Sequence, residues 1–303
     1  MAYPGQGDSR LWLSWVGLET ELIFNQGVDL PGFASFPLLE ANTGRARLEA
    51  YYSAQIKLAR DHGCGASLES VTWMANADRA RALGYDQAAL DGVNRDAIDL
   101  IAGLKDGDDI CLSAQIGPRG DGYKAGEMTA EASRRYHAAQ INVLADTAVD
   151  VLSAYTIASV DEATGIVQAA GDVGKPVIVS FTVETDGALP DGTLLSEAIT
   201  RVDGATGGAA ACFLVNCAHP DHIDRAAVNG RLPDRLAGVV ANASRCSHAE
   251  LDEAEELDDG DPVELGQQLA ELRRRHPAMS LLGGCCGTDL RHLREIAAGA
   301  VRD

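Results

Sequence analysis

Seven cysteines are spread through the 303 residues, and three of them lie where chemistry is possible. Cys217 follows an apolar run over 211–215 and Asn216. Cys285 and Cys286 follow a second run over 279–282, after Gly283-Gly284 and before Gly287-Thr288. Both runs read as buried strands. The paired glycines let the backbone turn sharply and approach a neighbour closely. Three thiols at two strand ends are the number and type for a catalytic zinc, which takes three protein ligands and leaves a fourth position open. Thiolate also selects zinc over magnesium or calcium. Other readings stay open on residue types alone. The adjacent cysteines could form a strained vicinal disulfide or be plain buried thiols, and His219 and His222 could join Cys217 in a mixed site. Cys-x-x-Cys spacing is absent, so a zinc ribbon is not supported.

The rest of the composition narrows the class. A net charge of −20 argues against non-specific nucleic-acid binding, which needs Lys and Arg on phosphates, and against anionic membranes. No apolar run approaches the ~20 residues of a membrane span. An odd number of cysteines without framework spacing fits reduced thiols in a cytoplasmic enzyme better than disulfides. Residues 1–8 lack the basic and apolar regions of a secretory signal.

Positioning the thiols requires a scaffold, and the pattern supplies one. Strands are expected at 11–16, 66–72, 109–116, 149–156, 177–182, 211–215, 236–240 and 279–282. Helices are expected at 44–62, 78–83, 86–104, 129–148, 193–202, 262–275 and 289–298, with a further helix opened by a capping-box pattern from Ser159 to Glu162. Gly204, Gly207 and Gly208 should break the helix that begins at Thr193. Eight strands alternating with helices over this length predict a single-domain α/β chain, a (β/α)8 TIM barrel covering 1–303. The glycine-rich stretch 117–122 reads as a loop at the site rim, and the acidic block 250–261 as a solvated loop. In a barrel the chemistry sits at the carboxyl ends of the strands. Cys217 ends the sixth strand and Cys285 and Cys286 follow the eighth. These strands are not neighbours, so the loops must bend inward to share a metal.

Asn216-Cys217 paired with Gly283-Gly284-Cys285-Cys286-Gly287 resembles the signature of the homocysteine S-methyltransferase family, and Gly17-Leu18-Glu19-Thr20-Glu21-Leu22 resembles its N-terminal motif. The resemblance implies the barrel fold and a Zn2+ held by Cys217, Cys285 and Cys286. It implies two small-molecule partners, a thiol and a methyl donor. Homocysteine sulfur would attack a methyl carried by a sulfonium, quaternary ammonium or folate donor, forming methionine. A thiol that completes such a site would lose its proton on coordination. Asn216 would support the ligands from beside them. Trp73, Tyr123 and Glu184 could line the place of a cationic donor.

The chain departs from the family at two carboxylates. Trp15 stands at the aspartate of the N-terminal motif, and Tyr155 at the glutamate after the fourth strand. Both acids help hold the amino-acid part of homocysteine in family members. Their absence predicts weak homocysteine binding, or preference for a thiol without the α-amino group, unless Glu19, Glu69 or Glu184 takes over near a strand end. The substrate-binding candidates are therefore Glu19, Glu69, Tyr155, Glu184 and Asn216. Competing functions are a zinc-bound homologue acting on another thiol and a metal-free redox-sensing dithiol protein.

Overall fold

The computed structural model describes residues 3–5, 10–228 and 230–301. Residues 1, 2 and 6–8 of the stretch read for a signal lie outside the described residues. Eight parallel strands close into a barrel in sequence order. They are β1 (Trp12–Trp15), β2 (Gly65–Glu69), β3 (Ile110–Ile116), β4 (Val151–Ile157), β5 (Val177–Phe181), β6 (Cys212–Asn216), β7 (Leu236–Ala241) and β8 (Leu281–Gly284). The helices are α1 (Leu18–Thr20), α2 (Asn42–Asp61), α3 (Ala77–Ala82), α4 (Gln87–Ala102), α5 (Ala130–Ala145), α6 (Val160–Asp172), α7 (Leu195–Thr206), α8 (Pro220–Arg225), α9 (His248–Asp252), α10 (Pro262–Arg275) and α11 (Leu290–Val301). The predicted single-domain (β/α)8 barrel is the fold observed. No helix among the described residues is long and apolar enough to cross a membrane.

The strands are buried on both faces, which is why they read as near-continuous apolar runs. Outward residues such as Leu13, Leu68, Leu112, Phe213 and Val239 pack with the helices. Inward residues form a separate cluster, including Trp12, Cys111, Val151, Ile178, Cys212 and Leu281. Above that apolar floor the interior turns polar. Ser14, Ser67, Glu69, Ser113 and Ser153 are buried on β1 to β4 where branched aliphatics usually fill a barrel.

Helix α2 fixes this polar edge. Its inward stripe Leu48, Tyr51, Tyr52, Gln55, Ile56 and Ala59 has helical spacing and is buried. Gln55 Nε2 donates to the carbonyls of Leu13 (3.0 Å) and Ser67 (2.8 Å), tying β1 to β2. Tyr51 and Tyr52 hydroxyls donate to the carbonyls of Trp15 (2.8 Å) and Glu69 (2.7 Å). Gly63, with φ +68°, lies just past the helix, as expected for a left-handed stop.

Several local expectations need correction. Gly283 and Gly284 are the last residues of β8 rather than the turn after it. The turn is Cys285–Thr288, closed by Thr288 N donating to Cys285 O at 3.1 Å, with Gly287 at φ +78°. The glycines do serve close approach: a Cβ on Gly283 would lie 1.9 Å from the Ser14 carbonyl oxygen. The Ser159–Glu162 box is half formed. Ser159 Oγ accepts from Glu162 N, but the Glu162 carboxylate instead takes bonds from Arg119 N and His137 Nε2. Gly204 lies within α7, which ends at Gly207 in the left-handed region. The acidic block is not one solvated loop. It starts inside α9, where Ser247 and Glu250 form a true capping box, and Asp261 caps α10.

Gly283 and Gly92 give a matched test of these contacts. Gly92 sits inside α4 with nothing within 4 Å of an added Cβ. Gly283→Ala should lose about 3 kcal/mol or more by forcing β1 from β8, whereas Gly92→Ala should gain about 0.5–1 kcal/mol; urea unfolding midpoints of the two variants check both signs.

Candidate metal centre and active-site cavity

The carboxyl ends of the strands open into a cavity of about 880 Å³. Cys217, Cys285 and Cys286 lie in its wall, with their three sulfurs within 4.8 Å of one another. All three are free cysteines, so the vicinal disulfide is not formed. The Cys217 and Cys285 sulfurs are 2.8 Å apart. That is longer than the ~2.05 Å of a disulfide and shorter than the ~3.8 Å edge of a thiolate tetrahedron on zinc.

The end of β7 brings the two cysteine segments together. Cys217 N donates to Val240 O (3.2 Å) and Asn242 N to Ala218 O (3.1 Å) on one side. Cys285 N donates to Ala241 O (2.7 Å) and Ala243 N to Cys286 O (3.1 Å) on the other. One intervening strand thus holds both arms, and the inward bend comes from backbone pairing rather than from the glycines.

Asn216 locks the same corner. Its Oδ1 accepts from Thr156 N (2.9 Å) and Ser180 Oγ (2.7 Å), while Nδ2 donates to Thr156 Oγ1 (2.9 Å) and Cys217 Sγ (3.2 Å). Thr156 and Cys217 both hold left-handed backbones, φ +62° and +53°. Each such conformation costs about 1–3 kcal/mol in a residue with a side chain. The Asn216 amide bridges the two strained positions, and β4 is bulged between Ala154 and Ile157 at the same level. On the far side, Gly17 meets the cysteine turn so closely that a Cβ there would lie 2.6 Å from Cys285 O. Thr20 Oγ1 accepts from Gly287 N at 3.2 Å. The N-terminal motif is therefore a buttress of the cysteine turn.

The three sulfurs divide the protons unequally. Bonds from the Cys285 and Cys286 thiols hold Cys217 well below the usual thiol range, against the effect of its burial. Burial, then the bond to Cys217, pushes Cys285 up, and bonds to Cys217 and Cys285 push Cys286 up. One thiolate with two thiols leaning on it is the arrangement a thiophilic divalent ion would take over by displacing two protons. The donor set suits such an ion.

The remaining candidates separate by position. Glu19 and Glu69 are on the cavity wall. Burial raises the Glu19 pKa, and Ser35 Oγ donates to its carboxylate at 2.6 Å. Tyr155 also lines the cavity, its hydroxyl 3.4 Å from Glu69 Oε1 and 3.3 Å from Ser14 Oγ. Glu184 is not among the cavity-lining residues. Its Oε1 lies 3.4 Å from Nδ1 of His248, whose Nε2 donates to Cys217 O at 2.6 Å. Trp15 stacks on Tyr51 with ring centroids 3.9 Å apart and donates to Thr288 O, so its indole is packing at the wall. His219 caps α8 by accepting from Asp221 N and stands apart from the sulfurs. Trp73 and Tyr123 line the cavity, Tyr123 against His248 with centroids 4.1 Å apart. Arg119 to Tyr123 confirm the glycine-rich loop as rim. Leu251, Asp252, Glu256 and Asp258 also face the cavity, so the acidic block covers its mouth. The sequence reading misses His248, for which the Ser247-x-x-Glu250 spacing was the available signal.

Glu69 is the unusual group. It is 5% exposed, and burial pushes it up to about 7 although the hydroxyls of Ser113, Ser67, Tyr155 and Ser153 favour its ionised form. Folding therefore takes up a proton between its ordinary pKa of 4.5 and about 7. Stability falls as pH rises through that window, because the ionised acid is disfavoured inside. Glu69→Gln should be worth nothing near pH 4 and up to about 3 kcal/mol of added stability at pH 8, as read from urea midpoints across that range.

Comparison with known proteins places these features. The family model described as homocysteine S-methyltransferase matches residues 40–300. Among solved structures, the oxidized form of the homocysteine methyltransferase MmuM from Escherichia coli superposes with a TM-score of 0.74 at 18% identity, covering 96% of each chain. The metallated form of the same protein gives 0.69 at 17% identity, again over 96% of each chain. At such identity these structures speak to the fold alone. No curated protein matches the chain. The family match spans most of the sequence, from before α2 to the last turn of α11, and on that ground the chain belongs to the homocysteine S-methyltransferase family and is a methyltransferase.

Proposed function

We propose that the protein is a zinc-dependent S-methyltransferase that moves a methyl group from a small-molecule donor to the thiol of homocysteine, forming methionine. The observation that carries this reading is the set of three convergent sulfurs in the wall of a large cavity, in a chain of this family. Zinc held by Cys217, Cys285 and Cys286 would supply an open position at which an incoming thiol gives up its proton and stays electron-rich. With that proton passed to solvent, the sulfur lone pair would form the new S–CH3 bond as the donor's bond to that methyl breaks, its electrons leaving with the donor. Asn216 Nδ2, bonded to Cys217 Sγ, orients one ligand and spreads its negative charge. The Glu184–His248 pair steadies the Cys217 backbone through its carbonyl.

The cavity is of a size to admit two small molecules together. Its wall carries Asp121, Asp252, Glu256 and Asp258 together with Trp73 and Tyr123, against two basic residues, Arg79 and Arg119. That lining supports a cationic donor, sulfonium or quaternary ammonium, over an anionic folate. Unpaired thiols in a metal site are also consistent with a reducing, cytoplasmic setting.

Protein purified under reducing conditions should hold about one zinc per chain. Cys217→Ala, Cys285→Ala and Cys286→Ala should each lose it, while Cys64→Ala and Cys246→Ala should keep it. Asn216→Leu should weaken zinc about 10- to 100-fold. Metal analysis followed by methyl transfer to homocysteine from S-methylmethionine, betaine and methyltetrahydrofolate checks the whole reading. Full zinc retention in the Cys285→Ala, Cys286→Ala double variant would overturn it, and transfer that survives chelation would point to a metal-free protein.

A further inference from the structure

Buried charges in proteins are paired, because an isolated carboxylate away from water is costly. Glu69 breaks that rule. Its Oε1 takes a bond from Ser67 Oγ at 2.9 Å and longer ones from Ser14 Oγ and Tyr155 OH, both at 3.4 Å. Its Oε2 is buried and has no hydrogen-bond partner. The groups that hydrogen-bond the carboxylate are neutral hydroxyls. The residue nevertheless stands at the end of β2 in the cavity wall.

A cation with an N–H or O–H to give would supply both the charge and the hydrogen bond that this oxygen lacks. An orphaned carboxylate oxygen is satisfied by a proton donor. A sulfonium or quaternary ammonium centre brings charge without such a proton, so the methyl-bearing cation of a donor does not complete this site. A primary ammonium does both. Position agrees with this choice. Ser14, which contacts Glu69, pairs in register with Gly283, two residues before Cys285. Tyr155 belongs to the same interior cluster as Cys217 and Cys285. An acceptor with its sulfur at the cysteines and an ammonium a few bonds away would reach Glu69.

We propose that Glu69 is the specificity-determining residue that binds the α-ammonium group of an amino-acid thiol, with Ser14, Ser67 and Tyr155 holding its carboxylate in place. The inference deepens the thiol-methyltransferase reading and rests on it. Its ionisation near neutral pH means that an arriving ammonium fixes the acid in its charged form. The acceptor class is then a short-chain α-amino thiol, despite Trp15 and Tyr155 at the family's carboxylate positions.

Calorimetric binding of homocysteine and of 4-mercaptobutanoate, which lacks only the amino group, to the zinc-loaded protein tests this. Wild type should prefer homocysteine by roughly 10- to 150-fold, the range of a hydrogen bond to a charged group. Glu69→Gln should bring that ratio close to one by weakening homocysteine alone, with 4-mercaptobutanoate binding and zinc content unchanged. Tyr155→Phe leaves the carboxylate but removes one of its supports, and should narrow the preference without abolishing it. If Glu69→Gln does not fold, Glu69→Asp carries the test, since withdrawing the carboxylate by one methylene should cut the ratio. An unaltered ratio in the folded Glu69 variant, or equal binding of both thiols by wild type, overturns this inference and leaves the methyltransferase reading standing. Failure of wild type to bind either thiol overturns both.

Discussion

Four backbone hydrogen bonds at the end of β7 carry the site. They hold the segment after β6 on one side and the turn after β8 on the other, so that residues 68 positions apart bring their sulfurs within 2.8 Å. A barrel places neighbouring strands about 4.8 Å apart. The sixth and eighth strands therefore cannot share a ligand cluster unless the seventh ends between them and lets both chains fold over it. β7 stops at Ala241, and the cysteines close over its end. Everything else near the sulfurs defends this closure. Asn216 spans the strained Thr156 and Cys217 backbones, and Gly17 leaves room for the cysteine turn to seat against the N-terminal motif.

The cavity combines two electrostatic environments. At its sulfur side, hydrogen bonds concentrate negative charge on one thiolate that a metal ion would neutralise. At its β1–β4 side, a lone acid sits among hydroxyls in the barrel interior. Serines in place of branched aliphatics sacrifice apolar packing, and they surround an acid that takes no hydrogen bond from a basic side chain. The acidic rim adds a third influence at the mouth. There the carboxylates are solvated and paired in part, as Asp259 is with Arg291, and they act through the general field rather than through a directed bond.

Much of the fold is legible from residue pattern. The helices and strands are found close to where spacing puts them, because a strand buried on both faces must be apolar throughout and a helix on the outside must carry one apolar stripe. The exceptions have local causes. Gly204 continues α7 because a helix tolerates a glycine at modest cost, and only the left-handed Gly207 stops it. Glu162 looks like the far half of a capping box, but tertiary neighbours Arg119 and His137 claim its carboxylate. Residues 250–261 look like solvent-facing charge, yet their apolar members Leu251 and Leu257 turn them over the cavity.

The sequence by itself determined the barrel class, the three thiols and their family, since apolar periodicity and a paired cysteine motif are properties of local residue order. Tertiary structure alone decided which acid matters. Glu19, Glu69 and Glu184 look equivalent as glutamates near strand ends. Folding gives Glu19 the Ser35 hydroxyl and sends Glu184 to His248, while Glu69 is left in the cavity wall with one oxygen unpartnered. The difference arises from contacts between segments far apart in the chain. A carboxylate's charge state and availability depend on how much water and how many donors those segments leave it, and no spacing rule along the sequence encodes that.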